Sequence, residues 1–147
     1  MSHTMTSLWL DRPEAGPLDA FEPDAYYDAV VVGAGLTGLS TAVLLARAGL
    51  HVAVLEARHV GAVTTGNTTA KLSLLQHTVL SGISRHFSEK TVRAYVDGNR
   101  EGQAWLLRYL EEHGVPFQRR DAYTYSTTEE GRRSLEKELK ASLGAGL

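Results

Sequence analysis

Tyr27-Asp28-Ala29-Val30-Val31-Val32-Gly33-Ala34-Gly35-Leu36-Thr37-Gly38, read on to Val52-Ala53-Val54-Leu55-Glu56, decides the fold of this chain. Residues 27–32 form a short β-branched run bounded by glycine, the pattern of a strand buried on both faces. Between positions 36 and 48, Leu39, Ala42, Val43 and Ala46 recur at i, i+3, i+4 and i+7. That spacing marks one face of a helix, with Gly49 as its left-handed cap. Residues 52–55 are a second buried strand that closes on Glu56. Strand, helix and strand make a βαβ unit, which predicts two parallel strands joined by a right-handed crossover.

The turn between the first strand and the helix carries the chemistry. Gly33, Gly35 and Gly38 have GxGxxG spacing, and Glu56 follows about 20 residues on, at the end of the second strand. Each glycine has a separate physical task. Gly33 permits the tight turn, Gly35 lets the backbone approach a pyrophosphate, and Gly38 lets the helix pack closely on the strand. N–H groups at the helix start, near Leu36 and Thr37, together with the positive end of the helix dipole, would hold a diphosphate, with Ala34 in the same cofactor-binding turn. Glu56 is placed to accept hydrogen bonds from a ribose diol and repels a 2′-phosphate, whereas Arg58, beside Ala57, is near enough to counter that repulsion.

Outward from this unit, residues 1–26 read as an irregular leader with Pro13, Pro17 and Pro23, in which Ser7-Leu8-Trp9-Leu10 is apolar enough to dock on a surface. Residues 57–75 read as a functional loop rich in glycine and threonine. A long helix is predicted from Glu89 to His113, capped by Ser88, with Val92, Tyr95, Val96, Leu106, Tyr109 and Leu110 as its buried stripe. Gly98 and Gly102 within it suggest a close approach. Residues 117–126 alternate loosely, placing Tyr123 and Tyr125 on one face of a strand. Thr127 and Glu130 form a capping box for a last helix whose stripe is Leu135, Leu139 and Leu143.

Composition sets wider limits. The 147 residues are 43% hydrophobic and 22% charged, as in a soluble globular protein, and the net charge of -2 gives no field that favours nucleic acid. There is no cysteine, hence no disulfide, thiolate metal site or cysteine nucleophile. Without a signal segment or an apolar run of membrane length, the chain is expected to be cytoplasmic, with no membrane partner. The histidines show no metal-ligand spacing, and only His77, just past the threonine-rich loop, is singled out as a candidate functional residue. Lys71 and the acidic residues of the later helices, Glu136 and Glu138 among them, read as solvent-facing charge.

On residues 30–42, on Ala46-Arg47-Ala48-Gly49 and on Val52-Ala53-Val54-Leu55-Glu56, the sequence resembles the flavin-dependent oxidases related to D-amino-acid, glycine and sarcosine oxidase. Residues 60–71, Val-Gly-Ala-Val-Thr-Thr-Gly-Asn-Thr-Thr-Ala-Lys, narrow the resemblance. With Gln76-His77 and Trp9-Leu10-Asp11, they are similar to the subgroup that carries a C-terminal Rieske iron–sulfur domain. The resemblance implies FAD as cofactor, an amine or amino-acid substrate, and hydride transfer from a C–H bond beside nitrogen. It also implies that Thr65, Gly66, Asn67, Thr68, Thr69 and Ala70 run along the flavin; at Asn67 the chain departs from relatives that carry histidine. A Rieske cluster needs two cysteines and so would lie outside this chain.

The expected fold is therefore α/β: the Rossmann-like dinucleotide-binding start of a parallel sheet, followed by the beginning of an antiparallel-sheet domain. Residues 27–116 are assigned to the FAD-binding domain and residues 117–147 to a truncated substrate domain. Two predicted parallel strands are too few for a complete nucleotide sheet, so an N-terminal fragment, inactive alone, is expected. The rival is a small module that folds by itself. An NAD-dependent dehydrogenase domain and a non-catalytic adenine-nucleotide binder are the alternative functions; the threonine-rich segment suits a flavin better than a nicotinamide.

Overall fold

The computed structural model describes residues 6–11 and 24–147, so most of the proline-containing leader lies outside the described residues. The order is β1 (Ala29–Val32), α1 (Leu36–Arg47), β2 (Val52–Leu55), a 3-10 turn (Thr65–Asn67), α2 (Val79–Ser84), α3 (Glu89–Glu112) and α4 (Glu129–Gly144). The chain divides into two compact units, Met1–Ala70 and Lys71–Leu147.

In the first unit β1 and β2 pair in parallel, Ala29 opposite Val52 and Val32 opposite Leu55. The predicted βαβ unit forms, and α1 packs on both strands. Gly49, at φ +88°, ends α1 as expected. Alternation along β1 is complete: Ala29 and Val31 are half-buried, while Val30 and Val32 are exposed, Val32 by 82%. Burial on both faces, expected from the β-branched run, is thus not what the sheet shows. One helix covers one face of two strands, and side chains of period two reach it only from alternate positions.

The second unit is helical. Leu80 of α2, Val92 and Val96 of α3 and Ala145 form its buried cluster, with Ile83, Ala141 and Leu147 packed around them. Ser88 caps α3 as expected, its hydroxyl accepting from the Thr91 N–H at 3.3 Å. Val92 and Val96 hold the centre of the stripe, whereas Tyr95 is exposed. Gly98 and Gly102 make no close approach, since a methyl group at either would meet open space.

Three expectations for α4 fail. The cap of α4 is Thr128, not Thr127; its Oγ1 accepts from the Gly131 N–H at 3.1 Å. The buried face of α4 is made by Glu138 and Ser142, leaving Leu139 and Leu143 60% and 66% exposed. Glu138 is not solvent-facing charge: its two carboxylate oxygens accept the Leu80 and Ser81 N–H groups at 2.9 and 2.7 Å. The start of a helix leaves N–H groups without intrahelical partners, and a carboxylate there answers both their hydrogen bonding and their dipole. Glu138 therefore meets α2 through its polar contact, and of the leucine stripe Leu135 stays half-buried while Leu139 and Leu143 face outward. Glu129, Arg132 and Glu136 do form exposed ion pairs, as charge patterning suggests.

Residues 117–126 enter no ladder, and Tyr123 and Tyr125 are exposed. Alternation makes a strand only where a second strand takes up its backbone groups. The antiparallel sheet is therefore absent among the described residues. No helix among them is long and apolar enough to cross a membrane.

Candidate cofactor site

The site is built inside the first unit, where β1 gives way to α1. Gly33 takes φ +104°, a conformation that only glycine adopts readily. A side-chain carbon at Gly38 would collide with the Gly33 carbonyl oxygen and crowd Val31 Cγ1, so the bare helix face is what lets α1 sit against the turn. Both tasks assigned from the spacing are visible in the backbone. At Gly35 an added carbon would stand 3.3 Å from Thr65 Oγ1, so the middle glycine faces the threonine-rich loop.

Ala34 joins these parts. It is buried, its N–H donates to Glu56 Oε2 at 2.8 Å, and its carbonyl accepts from the Gly61 N–H at 2.9 Å. Glu56 Oε1 accepts from the Arg58 N–H at 2.9 Å. The Ala34 N–H, then that of Arg58, with further help from the Ala57 amide and the Arg58 charge, holds the Glu56 carboxyl below its usual range. Glu56 is thus ionised and fixed at the cleft. Each oxygen that accepts one N–H keeps a lone pair for a further donor.

Thr65 closes the other side. Its Oγ1 accepts from the Leu36 N–H at 2.9 Å, at the first residue of α1. A hydroxyl that accepts one hydrogen bond still has its proton to donate, so Thr65 can present a donor at the helix start. Gly35, Glu56 and residues 61–65 line a cleft of about 190 Å³. Whole small-molecule sites span roughly 300–1,000 Å³, so this cleft is smaller than a complete small-molecule site.

The loop after β2 is held by its own backbone. The Gly66 N–H donates to the Gly61 carbonyl at 2.7 Å, and Gly61 itself takes φ +72°. Asn67 turns its Nδ2 to the Val63 carbonyl at 2.7 Å, a bond that stabilises the loop. Thr68 Oγ1 accepts from the Ala70 N–H at 3.2 Å, and Ala70 takes φ +53°, unusual for a residue with a side chain. Thr37, Ala57, Arg58 and Thr69 are exposed. The structure therefore knits Gly33, Ala34, Gly35, Leu36, Gly38, Glu56, Thr65 and Gly66 into one network, with Thr68, Thr69 and Ala70 on the segment that leaves it.

Sequence reasoning missed Gly61 and the pairing of Thr65 with Leu36. Gly61 could have been suspected from glycine in a functional loop; nothing in the sequence signals the second contact. His77 and Lys71 belong to the second unit. His77 is exposed at φ +56°, and beside it Gln76 accepts from the Tyr95 hydroxyl at 2.6 Å and donates to Asn99 Oδ1 at 3.1 Å.

Residues 28–147 match the family described as FAD dependent oxidoreductase. The chain is 27% identical over 143 residues to the "Putative Rieske 2Fe-2S iron-sulfur protein YhfW" of Bacillus subtilis (strain 168), covering 96% of this chain and 28% of that protein. It is 37% identical over 70 residues to the gamma-glutamylputrescine oxidoreductase of Escherichia coli (strain K12), covering 48% of this chain and 16% of that protein. The chain thus spans less than a third of the length of either relative. No solved structure matches it significantly. A glycine turn locked to an acidic strand end, within a match that covers most of the chain, identifies this chain as a member of the FAD-dependent oxidoreductase family.

Proposed function

We propose that this chain is the FAD-binding portion of an oxidoreductase that removes a hydride from a C–H bond beside the nitrogen of an amine or amino-acid-like substrate. The observation that carries the reading is the lock on the glycine turn: Ala34 is held from both sides, and Glu56 is ionised at the mouth of the cleft. FAD, when bound, supplies the ring that accepts the hydride.

The chain's own residues bind and orient. Gly33, Ala34 and Gly35 keep side-chain bulk away from a diphosphate, while the start of α1 faces it with the N–H groups of Thr37 and Gly38 and a positive dipole end; the Leu36 N–H, expected to join them, is taken by Thr65 Oγ1. The Thr65 hydroxyl adds a donor at the same place. Glu56, flanked by Ala57 and Arg58, accepts from the adenosine ribose. Thr65, Gly66, Asn67, Thr68, Thr69 and Ala70 lead from the diphosphate toward the ring. In functional terms, residues 27–116 are the FAD-binding portion and residues 117–147 the beginning of the substrate domain. The gamma-glutamylputrescine oxidoreductase similarity supports an amine substrate, and the Rieske relative supports an iron–sulfur partner domain in the whole protein.

The test is retention of flavin absorbance by the purified chain after free cofactor is removed, with NAD as competitor. Bound FAD that NAD does not displace is the expected result; binding of NAD alone would replace this reading with the dehydrogenase one. Gly35→Val should abolish FAD retention, because its side chain occupies the approach to the diphosphate and strikes Thr65.

A further inference from the structure

Residues 7–11 of the leader are tied to the threonine-rich loop. The Ser7 carbonyl accepts from the N–H groups of Leu10 and Asp11 at 2.9 and 3.0 Å, which closes a turn and presents Trp9 and Leu10 together. Trp9 Nε1 donates to the Thr68 carbonyl at 2.7 Å, across a separation of 59 residues. Leu10 lies so close to Gly66 that a side-chain carbon there would strike both it and the Gly61 carbonyl oxygen. Trp9 is 41% exposed, so burial alone does not explain its seat; the indole N–H is directed at one carbonyl.

We propose that residues 7–11 are a strap that fixes the shape of residues 65–70, with Trp9 as a positioning residue for FAD. The inference rests on the reading of residues 65–70 as a cofactor loop. Thr68 uses its backbone N–H and its hydroxyl within the loop, toward the Thr65 carbonyl and the Ala70 N–H. Its carbonyl is engaged from outside by Trp9. Without that bond, the hydrogen bonds that hold residues 67–70 among the described residues are all short-range, and the strained φ of Ala70 is free to relax. An ordered loop that must stay ordered to receive a ligand loses affinity when its anchor is removed.

The decisive variant is Trp9→Phe, which keeps an aromatic ring and removes the N–H. Two readouts are taken on the whole chain: hydrogen exchange of the Thr68, Thr69 and Ala70 amides without cofactor, and FAD affinity by titration. Faster exchange at those amides with FAD affinity roughly fivefold weaker is the expected result, in line with one net hydrogen bond. Trp105→Phe, the same change in the second unit, should alter neither. In the Trp105→Phe background Trp9 is the sole tryptophan, and its emission should be quenched as FAD binds. Unchanged exchange in Trp9→Phe overturns the strap, and faster exchange with unchanged FAD affinity overturns its positioning role. If the unaltered chain binds no FAD, the cofactor reading falls by itself, because the exchange comparison needs no ligand.

Discussion

The two units of this chain are held by different forces. Among the described residues of the first unit the buried apolar residues are Ala34 and Ala42, both small, and order comes from backbone hydrogen bonds, bare glycines and one carboxylate. Between Lys71 and Leu147 three larger aliphatic residues, Leu80, Val92 and Val96, pack with Ala145. Aliphatic burial is non-directional and tolerates small shifts, whereas a network of backbone bonds fixes geometry and fails when one member moves. The first unit is therefore the one shaped for recognition, and the one whose stability should respond most to a bound ligand.

Three changes test that contrast. The largest effect is expected from Gly38→Val, where the side chain meets the Gly33 carbonyl and Val31. The turn must move, at a cost of about 3 kcal/mol or more. Hydrogen exchange should show loss of protection in β1 and α1 with α3 unchanged; loss in both units together would show that they unfold as one. Next, Glu138→Leu removes the acceptor of two buried N–H groups in α2 and should destabilise the second unit by roughly 2 kcal/mol, leaving FAD affinity within twofold. A large fall in affinity would break the separation.

The smallest effect belongs to Glu56→Gln, which exchanges one accepting oxygen for an amide nitrogen that cannot accept, and should weaken FAD binding about tenfold. Because the folded-state carboxyl lies below its ordinary value of 4.5, its contribution to stability is present above that value. It is lost as pH falls through the lower folded value. An acid titration of unfolding should show this slope in the first unit, and Glu56→Gln should remove it.

The parts legible in the sequence were those with local rules. The βαβ unit, the tasks of Gly33 and Gly38, the Gly49 cap and the Ser88 cap each depend on a few neighbouring residues. Glu138 was not legible, because on a helix dense with Glu, Lys and Arg it reads like its exposed neighbours. What buries it is α2, six residues with too few turns to show a period. Residues 117–126 misled for a related reason: their alternation is real, but pairing is a property of two segments. At the candidate site, Glu56 was singled out from its place at the end of β2, while its bond to Ala34 was not foreseen, since no pattern reports which amide a carboxylate will meet.

Both polar groups of the Ala34 peptide are occupied, one by Glu56 and one by Gly61, and this has a kinetic consequence. A turn fixed in this way has little left to search when a cofactor arrives, so association should be limited by encounter and orientation. Substitutions around the turn should then change how long FAD stays more than how fast it enters.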